Sequence, residues 1–165
     1  MRNASFIPSK IIDLAEGKKK IAQWGLSGKS VAFTNGVFDI LHRGHIYSLS
    51  QAAKEADYLV VGINSDASTK RLKGNNRPLN DQESRALVLA SLVMVDAVII
   101  FEGDTPIELI ETLLPDVLVK GGDYTVEQIA GSKEVIANGG RVVINEIVQG
   151  FSTTGMIEKM KTTKG

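Results

Sequence analysis

A chain of 165 residues, 43% hydrophobic and 23% charged, has ordinary globular usage, so one domain around a buried core is expected and two would not fit comfortably. Lysine plus arginine balances aspartate plus glutamate at 19 each, which removes the electrostatic footprint of a nucleic-acid or anionic-membrane binder but leaves room for a local basic cluster around a small phosphorylated ligand. Cysteine is absent, so disulfides, thiolate zinc sites and a cysteine nucleophile are excluded, in keeping with a reducing cytoplasm.

From the N-terminus, Met1 to Gly17 mixes polar and apolar residues without a continuous apolar run. No stretch approaches the roughly 20 residues a membrane helix needs, so no membrane insertion is expected and the protein reads as soluble and cytoplasmic. Ile7 to Trp24 predicts a leading helix, and residues 1–29 an N-terminal helical extension packed on a single domain of residues 30–165. Lys18-Lys19-Lys20 is a solvated helix face. Five short apolar, β-branched runs follow: Val31 to Thr34, Tyr58 to Ile63, Ala97 to Phe101, Val117 to Val119 and Val142 to Ile144. They lack clean alternation and are separated by segments long enough for helices. This predicts an α/β fold, a Rossmann-like parallel five-stranded sheet with helices on both faces.

Between the second and third strands, Asn64 to Pro78 is the least regular stretch and predicts a mobile loop. Asn80-Asp81 with Glu83 then starts a helix carrying Leu87, Leu89-Ala90 and Val93. Pro106 suits the first turn of a helix from Ile107 to Leu114, and Pro115 closes it. No repeat or low-complexity segment is present.

Both histidines, His42 and His45, fall just after the first strand and the turn Asn35-Gly36-Val37-Phe38-Asp39. Three apart on a starting helix, they share a face. Gly44 between them permits close approach, and a helix N-terminus offers free N–H groups to phosphate oxygens. Taken alone, such a pair equally suits a cap plus a core residue, or two ligands of a metal whose third ligand cannot be placed; no metal site is assigned. Lys70, Arg71, Lys73 and Arg77 form a basic group in the loop after the second strand, where ligands of parallel sheets sit. Singly, each also suits a solvated loop. Arg85 suits an ordinary surface pair, Gly122 and Asp123 a plain turn, and Ser152, Thr153 and Thr154 a helix cap.

The string from Gly36 to His45 resembles the phosphate-binding signature of the cytidylyltransferase-like nucleotidyltransferases. Within that superfamily, His42-Arg43-Gly44-His45, Asn64-Ser65-Asp66, Lys70 to Gly74, Lys120 to Tyr124 and Gly131-Ser132-Lys133 resemble the adenylyltransferases that make ADP-glycero-manno-heptose from heptose 1-phosphate. In some bacteria that activity is fused to a sugar kinase, and this chain resembles the stand-alone form. The resemblance implies AMP transfer from ATP, with Mg²⁺ carried on the triphosphate, by direct attack of a sugar-phosphate oxygen on the α-phosphorus. It further implies that His42 and His45 are catalytic. Val37, Phe38, Asp39, Gly44, Gly122, Asp123, Ser152, Thr153 and Thr154 would contact the nucleotide, and Lys70, Arg71, Lys73, Arg77 and Arg85 the sugar phosphate.

One departure stands out. Ile147 to Phe151 and Ile157 lack the basic residue that many relatives carry near the last hydroxyl cluster, which leaves the group neutralising pyrophosphate unassigned. Alternatives are a cytidylyltransferase acting on glycerol 3-phosphate or another polyol phosphate, a non-catalytic nucleotide-binding protein, and a metal-dependent hydrolase. A homodimer through an exposed apolar helix face is compatible with the pattern. The sugar's anomer and the downstream glycan, such as a lipopolysaccharide core, are left open.

Overall fold

The structure, a computed structural model, describes residues 4–146 and residue 155. Ser152, Thr153 and Thr154 lie outside the described residues, as do Ile147 to Phe151 and Ile157. Among the described residues, five strands form one parallel sheet: β1 (Val31–Gly36), β2 (Tyr58–Asn64), β3 (Ala97–Phe101), β4 (Val117–Gly121) and β5 (Arg141–Asn145). Their spatial order is β3-β2-β1-β4-β5. Consecutive strands step outward from β1 to β3, and the chain then returns across β1 to lay down β4. The sheet therefore reverses direction between β1 and β4, and the crevice at the carboxyl ends of these two strands is where α/β sheets bind ligands.

The strands lack apolar–polar alternation because both of their faces are buried. Ala32, Leu59, Val61, Ile63, Val98, Val117 and Val119 point into one core, whereas Val31, Phe33, Val60, Ala97, Ile99 and Leu118 point into the other. Period two is retained, but it alternates between two apolar layers. α2 (Arg43–Ala53) and α4 (Gln82–Ala90) cover the first face with Leu49, Ala52, Ala86, Leu89 and Ala90. α1 (Leu14–Leu26), α5 (Ile107–Leu113) and α6 (Ser132–Ala137) cover the second.

Three aspartates order the amino ends of the strands. Asp116, just before β4, accepts from the Val31 amide at 2.7 Å; Asp96, before β3, accepts from the Leu59 amide at 2.8 Å; Asp57, before β2, accepts from the Ser30 amide at 3.0 Å. Each carboxylate satisfies a backbone N–H at or next to the start of a neighbouring strand: Ser30 just before β1, Val31 at its first residue and Leu59 at the second residue of β2.

Three expectations are corrected. The leading helix does not begin at Ile7: residues 8–10 form one 3₁₀ turn, Ile11 and Ile12 run extended beside β3, and Asp13 caps α1 by accepting from the Glu16 amide at 2.7 Å. The segment from Asn64 to Pro78 is not an irregular loop throughout, because α3 (Asp66–Lys73) occupies its first half. Ser65 caps α3 at the Ser68 amide, 3.1 Å away, and Gly74, at φ 92°, ends it. Val93 is no core residue: α4 ends at Ala90, and Val93 is 97% exposed. Among the described residues, no helix is long and apolar enough to cross a membrane.

Candidate active site

A cavity of about 670 Å³ opens at the carboxyl ends of β1 and β4, a size suited to a small ligand. β1 delivers the chain to Gly36, and a tight turn reverses it into α2. Phe38 adopts φ 49°, a left-handed conformation unusual for a side chain of its size, and its ring folds back over Gly36. A Cβ on Gly36 would sit 2.9 Å from the Phe38 ring, so only glycine leaves room for this turn.

His42 occupies the N-cap position of α2 in extended backbone, and its carbonyl accepts from the His45 amide at 2.9 Å. The two imidazoles stack with centroids 3.8 Å apart and planes 20° apart, and the Phe38 ring stands 5.2 Å from His45 at a steep tilt. Burial lowers the pKa of both histidines. His45 falls to about 4, first through burial and then through the neighbouring His42 charge, against an opposing hydrogen bond with the Ile40 backbone. Two stacked rings at this distance resist double protonation, so near pH 7 the pair is neutral and each ring offers one N–H to a ligand.

Asp39 and Arg85 organise the wall beside the histidines. The Asp39 carboxylate, wholly buried, pairs with Arg77 Nε and accepts from the amides of Leu79 (2.8 Å) and Asn80 (3.0 Å). The Asn80 side-chain amide donates to the Asp39 carbonyl at 2.6 Å. Burial pushes this carboxyl up, but the Asn80 and Leu79 amides and the Arg77 guanidinium outweigh it and hold the pKa below 3.8. The effect is to clamp residues 77–80 against the turn after β1 and to hold Arg77 at the cavity.

Arg85 departs from expectation. It is 2% exposed, does not line the cavity, and all three of its guanidinium nitrogens donate hydrogen bonds. Nη1 donates to the Val37 carbonyl at 2.7 Å, Nε to the Asn80 carbonyl at 3.0 Å, and Nη2 to the Asn64 carbonyl and to Asp66 Oδ1, both at 2.8 Å. Its place in the sequence pattern reflects a structural bracket across the ends of β1 and β2, which sets the backbone at Val37.

The remaining residues divide. Val37, Phe38, Asp39, His42, Gly44, His45, Lys73 and Arg77 line the cavity together. Lys70, Arg71, Gly122 and Asp123 do not. Arg71 instead pairs with Asp104 at 2.7 Å and donates to the Glu102 carbonyl at 2.6 Å, pinning the loop after β3. Asp123 and Gly122 are outflanked by Gly121 and Tyr124, which do face the cavity. Lys120, at the end of β4, belongs to the Lys120 to Tyr124 motif, but no role of its own is assigned to it from sequence. The available signal was a lysine directly after three apolar strand residues, on the ligand side of a parallel sheet. Asn35, Gln128 and Glu146 also line the cavity, without any comparable signal. No group of three or more metal-ligating side chains is assembled among the described residues.

The sequence profile of the cytidylyltransferase-like family matches residues 33–164. The chain belongs to this family. In cytidylyltransferase-like nucleotidyltransferases, then, the cavity at the head of α2 is the region to compare. The bifunctional protein HldE of Mesorhizobium japonicum is 54% identical over 151 residues, covering 92% of this chain and 30% of its own length. HldE of Shigella flexneri is 54% identical over 149 residues, 90% of this chain and 31% of the relative. The chain thus spans about a third of these curated relatives. A crystal structure described as the lipopolysaccharide core biosynthesis protein of Thermoplasma volcanium is 31% identical, with a TM-score of 0.58 over 73% of this chain and 98% of that one. Pantoate-beta-alanine ligase of Francisella tularensis, crystallised with an ATP analogue and beta-alanine, shares the fold at 14% identity. Its TM-score is 0.59, over 92% of this chain and 76% of that one.

Proposed function

We propose that this cytidylyltransferase-like protein transfers AMP from ATP to glycero-manno-heptose 1-phosphate, giving ADP-heptose and pyrophosphate. The carrying observation is the stacked, neutral His42–His45 pair at the head of α2, facing a cavity at the reversal point of the sheet. The high identity to HldE proteins and the likeness to a lipopolysaccharide core biosynthesis protein support the sugar side of the reading.

An oxygen of the sugar 1-phosphate attacks the α-phosphorus in line. The new P–O bond forms as the bond from that phosphorus to the α–β bridging oxygen breaks, and pyrophosphate leaves with the electron pair. No enzyme nucleophile is required. His42 and His45 donate N–H to the triphosphate as charge builds on the leaving group, and backbone at Val37 and Phe38 lies alongside. Arg77 and Lys73, on the β2 side of the cavity, hold the acceptor phosphate. Mg²⁺ arrives as part of the ATP substrate, bound by its phosphate oxygens. Ser152, Thr153 and Thr154 are assigned to the β- and γ-phosphates on the family pattern. Residues 30–165 make up the catalytic domain, residues 1–29 its leading extension, and the reaction belongs to the cytoplasm.

The test is pyrophosphate release with Mg²⁺, crossing ATP, CTP, GTP and UTP with heptose 1-phosphate and glycerol 3-phosphate. Turnover confined to ATP with heptose 1-phosphate, and lost in His42→Ala and His45→Ala, supports the reading. Turnover with CTP and glycerol 3-phosphate overturns the substrate, and turnover with no pair overturns the activity.

A further inference from the structure

The cavity has an acidic–basic clamp, Asp39 with Arg77, and at the end of β4 a cation that has no such partner among the described residues. Lys120 closes β4 beside β1, its Nζ 3.3 Å from Asn35 Oδ1 and 5.9 Å from the centre of the Tyr124 ring. Among the described residues no carboxylate reaches ion-pair distance of it, Glu146 of the same cavity included. The Lys120 side chain is half-buried, and burial lowers its pKa from 10.5. A long contact to a neutral amide oxygen and an aromatic face compensate poorly for the water removed from an ammonium. An ammonium so placed gains a counter-charge when an anion binds beside it. The histidines, neutral near pH 7, cannot supply that fixed charge, and the charge of Arg77 is shared with Asp39.

We infer that Lys120 is a phosphate-binding residue whose ammonium pairs with a phosphate oxygen of a substrate lying against His42 and His45. The inference deepens the nucleotidyl-transfer reading and rests on it for the identity of the ligand, though not for the presence of an anion. Two phosphates qualify: the one being transferred on the nucleotide, and the one on the sugar. Lys120 ends β4 and Lys73 and Arg77 follow β2, on the two sides of β1 in the sheet, so basic groups from both sides of the cavity are available for the two substrates.

The test uses the full chain as wild type, Lys120→Met and Lys120→Arg. Each is titrated calorimetrically with α,β-methylene-ATP, heptose 1-phosphate and inorganic tripolyphosphate, and each is melted without ligand. Lys120→Met, close in length and free of the buried charge, is expected to melt at or above the wild-type temperature. It should lose affinity about 10- to 100-fold for at least one probe, the range for a hydrogen bond to a charged group, with partial recovery in Lys120→Arg. A loss confined to the ATP analogue and tripolyphosphate assigns the nucleotide phosphate, and one confined to heptose 1-phosphate assigns the acceptor. Affinities within twofold of wild type for all three probes overturn the inference. So does a lower melting temperature with no recovery by arginine, which would mark a structural lysine, and so does wild-type protein that binds none of the probes. Lys120-dependent binding of tripolyphosphate in a protein that turns over no substrate pair would leave the inference standing while the proposed reaction fell.

Discussion

His45 sits at a pKa of about 4 because its ring is buried and faces a second imidazole; a triphosphate placed against it reverses the balance. The bound anion raises the pKa of the pair, so nucleotide binding takes up protons between the free and bound values, and affinity strengthens as pH falls through that window. Calorimetry near pH 6 in two buffers of different ionisation enthalpy should show this uptake, reduced in His45→Ala and absent when both histidines are replaced by alanine. Removing either histidine should also lower kcat by about 10²- to 10³-fold, the usual loss for one preorganised donor. Asp39 carries the opposite sign. Its lowered pKa stabilises the fold above about pH 4 and the contribution is lost as pH falls through the folded value. Asp39→Asn leaves Arg77 without its counter-charge, with an expected cost of about 3 kcal/mol in denaturant unfolding and faster hydrogen exchange at residues 77–80.

The residue scale is also where the sequence was least legible. The spacing of His42 and His45 pointed to a shared face, and the structure has their rings stacked. Arg85, by contrast, looks in sequence like any basic residue on a helix, and only tertiary packing reveals that three backbone carbonyls and Asp66 enclose it. Arg71 and Lys73 lie two apart on one helix and so serve differently: Arg71 is held by Asp104 and the Glu102 carbonyl and does not line the cavity, whereas Lys73 does. Reading the segment as a loop concealed that division, because the Ser65 cap was not recognised as a helix start.

At the scale of elements, caps and turns decide where chemistry is presented. α4 begins at Asp81, whose carboxylate accepts from the Ser84 amide at 2.7 Å, immediately after the clamped residues 77–80. Asp81→Ala should therefore cost about 1 kcal/mol, read as a lower melting temperature, with little change in kcat, since the cap does not touch the cavity. The five strands were legible because each is a compact apolar run; Asn35 and Gly36 on β1 and Lys120 and Gly121 on β4 read as turn or motif residues after the strands, because polar residues and glycine end the apolar signal just where the sheet reaches the site. The N-terminal segment was misread for a similar reason. Ile11 and Ile12 fit a helical spacing, but an open strand beside them and the Asp13 cap after them favour extension.

For the molecule as a whole, the order of strands lets a chain of balanced charge concentrate positive charge locally: Lys73 and Arg77 from the segment after β2 and Lys120 from the end of β4 line one cavity around the end of β1. The extended contact of Ile11 and Ile12 with β3 carries a different consequence. β3 lies at the margin of the sheet, and the Ile12 amide donates to the Val98 carbonyl at 3.0 Å, while Lys10 Nζ donates to the Val95 carbonyl at 2.7 Å. These few residues act as a guard rail on a row of backbone groups that would otherwise invite a strand from another molecule. Deleting residues 4–12 should leave the cavity intact but shorten the protein's life in solution, with light scattering rising on incubation and more steeply at higher concentration. The segment's value then lies in keeping neighbouring copies apart, a service measured in shelf life and not in turnover.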